Sequence, residues 1–77
     1  MPTKLFGASW MRQTRTAINI LDDANIGYQF IDVHAEPTIA LALEGAIGPY
    51  TLPVLFVDGR EYKGVEKVRE YIKSTTK

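Results

Sequence analysis

The sequence predicts a small α/β fold with the element order βαβαββα, in which a four-stranded mixed sheet carries helices on both faces. An apolar run, an amphipathic segment and a second apolar run follow one another, as in a parallel βαβ unit with a right-handed crossover. A later apolar run ends in an Asp-Gly pair, which is the strongest short-range signal of a β-hairpin. The final segment carries apolar residues at helical spacing.

The first part of the chain supplies the parallel unit. Residues 4–8 form a short apolar run that is consistent with a buried strand. In residues 12–25 apolar side chains recur three, four and seven positions apart, which predicts an amphipathic helix that stops at Asn25 and Gly27. Residues 28–33 are the second predicted strand.

The middle of the chain predicts a short second helix. Glu36-Pro37 suits a helix start, because proline is tolerated in the first helical turn. Gly48-Pro49 ends the pattern. One apolar stripe is expected on this helix, formed by Ile39, Leu43, Ala46 and Ile47.

The last third predicts a hairpin and a closing helix. Residues 52–57 are almost continuously apolar and too short for a helix, so they indicate a strand buried on both faces. Asp58-Gly59 then turns the chain into an antiparallel edge strand over residues 60–62. Gly64 ends that strand, and the helix that follows is expected to fray in residues 74–77.

Size and charge exclude several classes of protein. The 77 residues predict one small domain over positions 1–77, and 45% apolar residues suffice for a core. Nine acidic and nine basic residues cancel, so no nucleic-acid partner is expected, and no run is long enough for a membrane span. Residues 1–4 lack a signal-peptide pattern, which favours the cytoplasm. We expect a monomer.

Two segments carry a family resemblance. Residues 9–15 read Ser-Trp-Met-Arg-Gln-Thr-Arg after the first strand, and Thr51-Leu52-Pro53 enters a later strand ahead of the Asp58-Gly59 hairpin. In this order they resemble the glutaredoxins, with the related mycoredoxins and NrdH-type proteins. The resemblance runs from Leu5 to Ile72 and implies the thioredoxin fold and a disulfide oxidoreductase ancestry in cell redox homeostasis.

The resemblance places the family's two active-site cysteines at positions where this chain has other residues. The family's nucleophilic cysteine follows the tryptophan, and the resolving cysteine stands three residues later; here these positions are Met11 and Thr14, and the chain has no cysteine. A thioether has no ionisable proton, and no adjacent base activates Thr14. The sequence therefore predicts no catalytic residue and a degenerate site, with Met11 as an apolar plug.

The family's binding surface is implied to survive in part. The family's cis-proline presents the preceding backbone to an extended thiol peptide. Pro53 matches that position; the alternative is that it only shapes the loop that enters a buried strand. Arg12 and Arg15 have two interpretations. They either make the entrance to this binding surface positively charged, or they are ordinary helix residues whose side chains lie in solvent. The predicted ligand-binding residues are Trp10, Met11, Arg12, Thr51, Leu52, Pro53, Gly64 and Glu66.

The glutathione subsite is only partly kept. Gly64 and Glu66 fit the family's turn before the last helix, but Lys67 reverses the charge at the second acidic position. No cofactor is predicted, and the reversed charge at Lys67 weighs against glutathione, which stays a candidate ligand. A metal is not expected either, because His34 with Asp32 and Glu36 is more typical of a solvated loop.

Two functional hypotheses follow from these observations. The first is a redox-inactive binding module that recognises a peptide, a protein or a small thiol at the former active-site surface. The second is a glutaredoxin-class thiol-disulfide oxidoreductase that is active only with an external or restored cysteine. Turnover of a small disulfide separates them, because the first hypothesis predicts the rate of the protein-free blank.

Overall fold

A computed structural model describes residues 3–48 and 52–75, and it confirms the predicted order of elements and the fold class. Thr51, one of the predicted ligand-binding residues, lies outside the described residues. The elements are β1 (Thr3–Gly7), α1 (Arg12–Asp23), β2 (Gln29–Asp32), α2 (Pro37–Ile47), β3 (Val54–Val57), β4 (Arg60–Lys63) and α3 (Val65–Thr75).

The four strands form one mixed sheet in the order β2-β1-β3-β4. β1 pairs in parallel with β2, where Gly7 lies opposite Asp32, and antiparallel with β3, where Phe6 lies opposite Val54. The register brings the end of β1, the end of β2 and the start of β3 to the same edge of the sheet. The loops that leave this edge carry the candidate site.

The main core lies on the sheet face that α1 and α3 cover. It consists of five side chains with no exposed surface: Leu5, Ala17, Leu21, Leu55 and Val68. The opposite face carries α2, whose Leu43 is buried. Alternation along β1 explains the division, because Leu5 points to one face and Phe6 to the other.

Several element boundaries differ by one or two residues from the sequence-based expectation. The strand predicted from Leu52 begins at Val54, since Pro53 has no N–H to donate to the ladder. Within the predicted apolar stripe of α2, Leu43 is buried and Ala46 is exposed, and the side chain of Ile47 is not described. The predicted helix over residues 12–25 ends at Asp23, and Asn25 adopts a left-handed conformation with φ 58°.

Candidate functional site

The N-terminus of α1 is an uncapped helix end. Met11 is the N-cap residue, with extended backbone angles (φ −81°, ψ 134°), and its side chain makes no capping hydrogen bond. Its own N–H donates to the Ala8 carbonyl at 2.9 Å. The N–H groups of the first helical turn therefore point outward without an intrahelical acceptor. No acidic residue stands in that turn, so the positive end of the helix dipole is not offset there.

Two arginines reinforce this positive end. Arg12 opens α1 and Arg15 follows one turn later, and both side chains are exposed. Met11, which lies between Trp10 and Arg12 in the sequence, is only half-buried. The predicted apolar plug is thus partly accessible. A carboxylate placed at this helix end would meet backbone N–H groups, and the charges of Arg12 and Arg15 add to the positive potential of the first turn.

Thr14 is a fully buried residue with a structural role. Its side chain has no exposed surface, and its Oγ1 accepts the Ala8 N–H at 3.2 Å. A Cβ placed on Gly7 would lie 2.6 Å from Thr14 Cγ2 and 2.7 Å from Oγ1. Gly7 is therefore the residue that lets α1 approach the end of β1, and the hydroxyl of Thr14 is committed to the backbone.

Asp32 links the end of β2 to the loop that precedes α1. Its Oδ2 accepts the Ser9 hydroxyl at 3.1 Å, and its Oδ1 accepts the N–H groups of His34 at 2.9 Å and Ala35 at 3.3 Å. Desolvation acts to raise the pKa of Asp32, but these hydrogen bonds, together with one from the Ser9 N–H, outweigh it. The pKa of Asp32 consequently lies below its ordinary value.

Trp10 stands at the rim of the site as an exposed aromatic residue. Its side chain is 65% exposed, and its ring meets the ring of His34 edge-on, with centroids 6.0 Å apart and an interplanar angle of 83°. Because Asp32 holds the backbone of His34, the β2–α2 loop supports the indole from one side. An exposed tryptophan with a supported orientation is suited to anchoring a partner.

The loop before β3 and the turn before α3 meet at Pro53. The Leu52–Pro53 peptide bond is cis, as the resemblance predicts. Pro53 is buried, and its carbonyl accepts the Gly64 N–H at 2.7 Å. Gly64 has φ 89°, a left-handed conformation that glycine adopts without steric cost. Glu66 lies exposed in the first turn of α3.

The structure groups the predicted residues into two clusters. Trp10, Met11 and Arg12 are consecutive at the start of α1, while Pro53 and Gly64 are joined by a hydrogen bond; the pairing of β1 with β3 brings both clusters to one edge of the sheet. Leu52 is half-buried beside Pro53. Among the described residues no hydrogen bond joins Glu66 to either cluster. Whether these residues bind a ligand stays a prediction.

Sequence reasoning missed a supporting network, which consists of Ser9, Asp32 and the aromatic contact of His34. A signal was present, because Asp32 ends a strand parallel to β1 and the carboxyl ends of parallel strands meet at one edge.

Residues 3–48 and 52–75 contain no group of three histidine or acidic side chains placed to hold a metal ion. None of the helices described is long and apolar enough to cross a membrane.

Comparison with known proteins identifies the family. The glutaredoxin family model matches residues 4–62. Comparison with curated protein sequences finds no match. Among solved structures the chain is similar to the glutaredoxin-like NrdH-redoxin from Escherichia coli, with a TM-score of 0.84 and 18% identity over 100% of this chain and 97% of that one.

Two glutaredoxins are also similar. Reduced Escherichia coli glutaredoxin gives a TM-score of 0.79 and 26% identity, covering 97% of this chain and 96% of that one. A buckwheat glutaredoxin in complex with glutathione gives a TM-score of 0.81 and 24% identity, covering 95% of this chain and 69% of that one. With the family model spanning most of its length and no cysteine anywhere in its sequence, this chain belongs to the glutaredoxin family and lacks the family's cysteine pair.

Proposed function

We propose that this chain is a redox-inactive glutaredoxin-family module that binds a peptide, a protein or a small thiol at the surface around Trp10, Met11, Leu52 and Pro53. The observation that carries the proposal is the pair of replacements at the start of α1. Dithiol exchange proceeds through a mixed disulfide on the protein's own sulfur, and no residue of the chain can form one. Thr14 cannot substitute, because it is buried and hydrogen-bonded to Ala8.

The chemistry of the surface favours an anionic ligand. The uncapped first turn of α1 and the exposed Arg12 and Arg15 together attract a carboxylate. Trp10 offers an apolar face beside them, and the backbone of Leu52 is suited to pairing with an extended peptide. Glutathione is the first ligand to test, because a structural neighbour is a glutaredoxin–glutathione complex. Lys67 in place of an acid weighs against tight binding of glutathione.

The cytoplasmic location and the monomeric state of the protein stay predictions.

The redox half of the proposal is tested by disulfide turnover. Purified protein is mixed with a small disulfide, glutathione and glutathione reductase, and NADPH consumption is followed. We expect the rate of the protein-free blank. A rate that rises in proportion to protein concentration would contradict redox inactivity and support the oxidoreductase hypothesis.

The binding half is tested by titrating reduced and oxidised glutathione and a short thiol-containing peptide into isotope-labelled protein. We expect shifts in the backbone amides of residues 11–14 and of Leu52. Met11→Asp is the decisive variant, because an aspartate at an N-cap occupies the first-turn N–H groups and typically adds about 1 kcal/mol of stability. It should weaken binding at least tenfold, while the new cap offsets the lost packing of Met11 and the protein stays folded.

Asn19→Asp is the matched control for that variant. It makes the same change of charge on an exposed residue in the middle of α1, away from the helix end. We expect it to leave the affinity within about twofold, as for a screened surface charge. Equal binding by both variants, or shifts confined to other parts of the protein, would overturn the assignment of the surface.

A further inference from the structure

A second concave surface lies on the sheet face opposite the main core. It is a groove of about 420 Å³ between α2 and strands β1 and β3. Phe6 and Phe56 line its sheet side, and Ala42 and Leu43 line its helix side. Because α1 and α3 pack on the other face, this groove shares no lining residue with the candidate site around Trp10 and Met11.

The groove has the size and lining of a small-molecule site. Volumes of roughly 300 to 1,000 Å³, mostly apolar with a few polar groups, are typical of such sites. Phe6 and Phe56 meet edge-to-face with centroids 5.6 Å apart and an interplanar angle of 75°. An aromatic body fits against such a pair, since ring edges and faces carry opposite partial charge.

Two charged residues at the groove decide the sign of the charge that a ligand should carry. Lys4 lies opposite Phe56 in the β1–β3 register and is half-buried, and within residues 3–48 and 52–75 no carboxylate pairs with it. Asp58 is exposed in the β3–β4 turn. Lys4 is less exposed than Asp58, so water screens an ion pair with Lys4 less strongly than one with Asp58.

We propose that this groove binds a small amphiphile with a compact aromatic body and one anionic group. The aromatic body packs between the Phe6–Phe56 pair and α2, and the anion pairs with the ammonium of Lys4. A carboxylate and a sulfonate share this chemistry. The groove is a site separate from the α1 N-terminus, so it binds whether or not the surface around Trp10 and Met11 has a ligand.

The experiment uses 2-naphthoate and its neutral counterpart 2-naphthamide as probes of equal shape. Each is titrated into isotope-labelled protein of all 77 residues, and the backbone amides are followed by NMR. We expect 2-naphthoate to bind at least threefold more tightly than 2-naphthamide. The largest shifts should fall on Lys4, Phe6, Phe56 and the groove side of α2, with the amides of residues 11–14 little changed.

Two variants and their controls test the mode of binding. Lys4→Gln should abolish the preference for naphthoate, whereas Lys67→Gln, which removes a charge on α3, should keep it. Ala42→Phe fills the groove and should weaken both probes more than tenfold. Leu41→Phe places the same ring on α2 outside the groove, since Leu41 is 71% exposed and does not line it, and should leave both affinities unchanged.

Three results would overturn the proposal. One is equal affinity for the two probes with no effect of Lys4→Gln. Another is probe shifts centred on the α1 N-terminus. The third is a dimer by sedimentation whose formation protects the α2 amides, because a second copy would then occupy the groove. An unchanged amide spectrum outside the groove confirms that each variant is folded.

Discussion

Thr14 and Gly7 form a packed pair at the junction of β1 and α1. The threonine fills the space that the missing Cβ of Gly7 leaves, and its Oγ1 takes up the Ala8 N–H. Ala8 itself is only 1% exposed, so this N–H has no access to bulk water. The hydroxyl therefore belongs to the internal hydrogen-bonding of the fold.

Removing that acceptor should destabilise the protein. Thr14→Val keeps the shape of the side chain and leaves the Ala8 N–H buried without a partner, which costs about 1 to 3 kcal/mol. Urea denaturation followed by circular dichroism measures the change in the free energy of unfolding. Thr16→Val is the control, because Thr16 donates to the Arg12 carbonyl in an exposed bond, and it should change stability by less than about 0.5 kcal/mol. Equal losses in both variants would contradict a special role for Thr14.

Asp32 contributes stability that depends on pH. The hydrogen bonds from Ser9, His34 and Ala35 favour its ionised form, so its folded-state pKa lies below the ordinary value of 3.8. At a pH between the folded-state pKa and the ordinary pKa of the unfolded chain, the unfolded chain binds more protons than the folded one. The free energy of unfolding therefore increases with pH in this range. The contribution is complete above the unfolded-state pKa and is lost as the pH falls through the folded-state pKa.

Asp32→Asn should therefore be less stable than the parent protein at pH 7, with a difference that shrinks as the pH falls below about 4. Denaturation midpoints measured from pH 7 to pH 3 provide the test. Asp23→Asn serves as the control, since no hydrogen bond among the described residues ends on the Asp23 carboxylate. A difference that stays constant across the whole pH range would show that Asp32 acts through its shape and not through its charge.

At the scale of an element, α1 retains the electrostatics that a nucleophilic thiol requires. Its uncapped N-terminus, with no acidic residue in the first turn, stabilises a negative charge at position 11. Thr14, one turn along, is buried, so the two former cysteine positions differ in access. Position 11 faces the loop and position 14 faces the core.

Met11→Cys should accordingly give a reactive thiol with a pKa below about 7.5, the range for cysteines at helix N-termini. The rate of alkylation by iodoacetamide as a function of pH measures it. Asn19→Cys, in the exposed middle of α1, should titrate near 8.5. Identical titration curves for the two variants would mean that the helix end no longer lowers a thiol pKa.

The helices and strands were largely predictable because each has its own period or turn signal. The amphipathic pattern defined α1, and Asp58-Gly59 fixed the β3–β4 hairpin. The start of β3 was missed by two residues, because the apolar run continues through Leu52 while the ladder begins only after Pro53. Hydropathy does not report which backbone groups are paired.

Contacts between residues distant in sequence were less predictable. The resemblance located Trp10, Met11 and Pro53, but the Ser9–Asp32 hydrogen bond joins residues 23 positions apart and depends on the β1–β2 register. The fit of Thr14 against Gly7 likewise depends on how closely α1 approaches the sheet. Such features arise from packing geometry, for which a single sequence carries no direct pattern.

For the whole molecule, the two sheet faces should differ in local stability. Every residue of the main core cluster comes from β1, β3, α1 or α3, and none comes from α2. α2 packs on the sheet beside an open groove and leaves Leu41 exposed. Segments with fewer buried apolar contacts open more readily than the core does.

Hydrogen exchange should therefore show α2 opening before α1. We expect protection factors in α2 to be at least tenfold lower than those around Ala17 and Leu21, a difference of about 1.4 kcal/mol in opening free energy. NMR-detected exchange at neutral pH measures both. Saturating 2-naphthoate should raise the protection of α2 alone. Protection factors that agree within about threefold would indicate one cooperative unit.

The position of α1 is fixed by Thr14, which packs against Gly7, and further along the helix by Ala17 and Leu21 in the main core. Its direction is therefore set by buried packing, and we expect substitutions at residues 9–12 to leave the first-turn N–H groups aimed at the same point in space. A sequence under pressure only to stay folded would keep this arrangement. The chain is for that reason a ready scaffold on which a new nucleophile, or a new anion specificity, requires only a few surface substitutions.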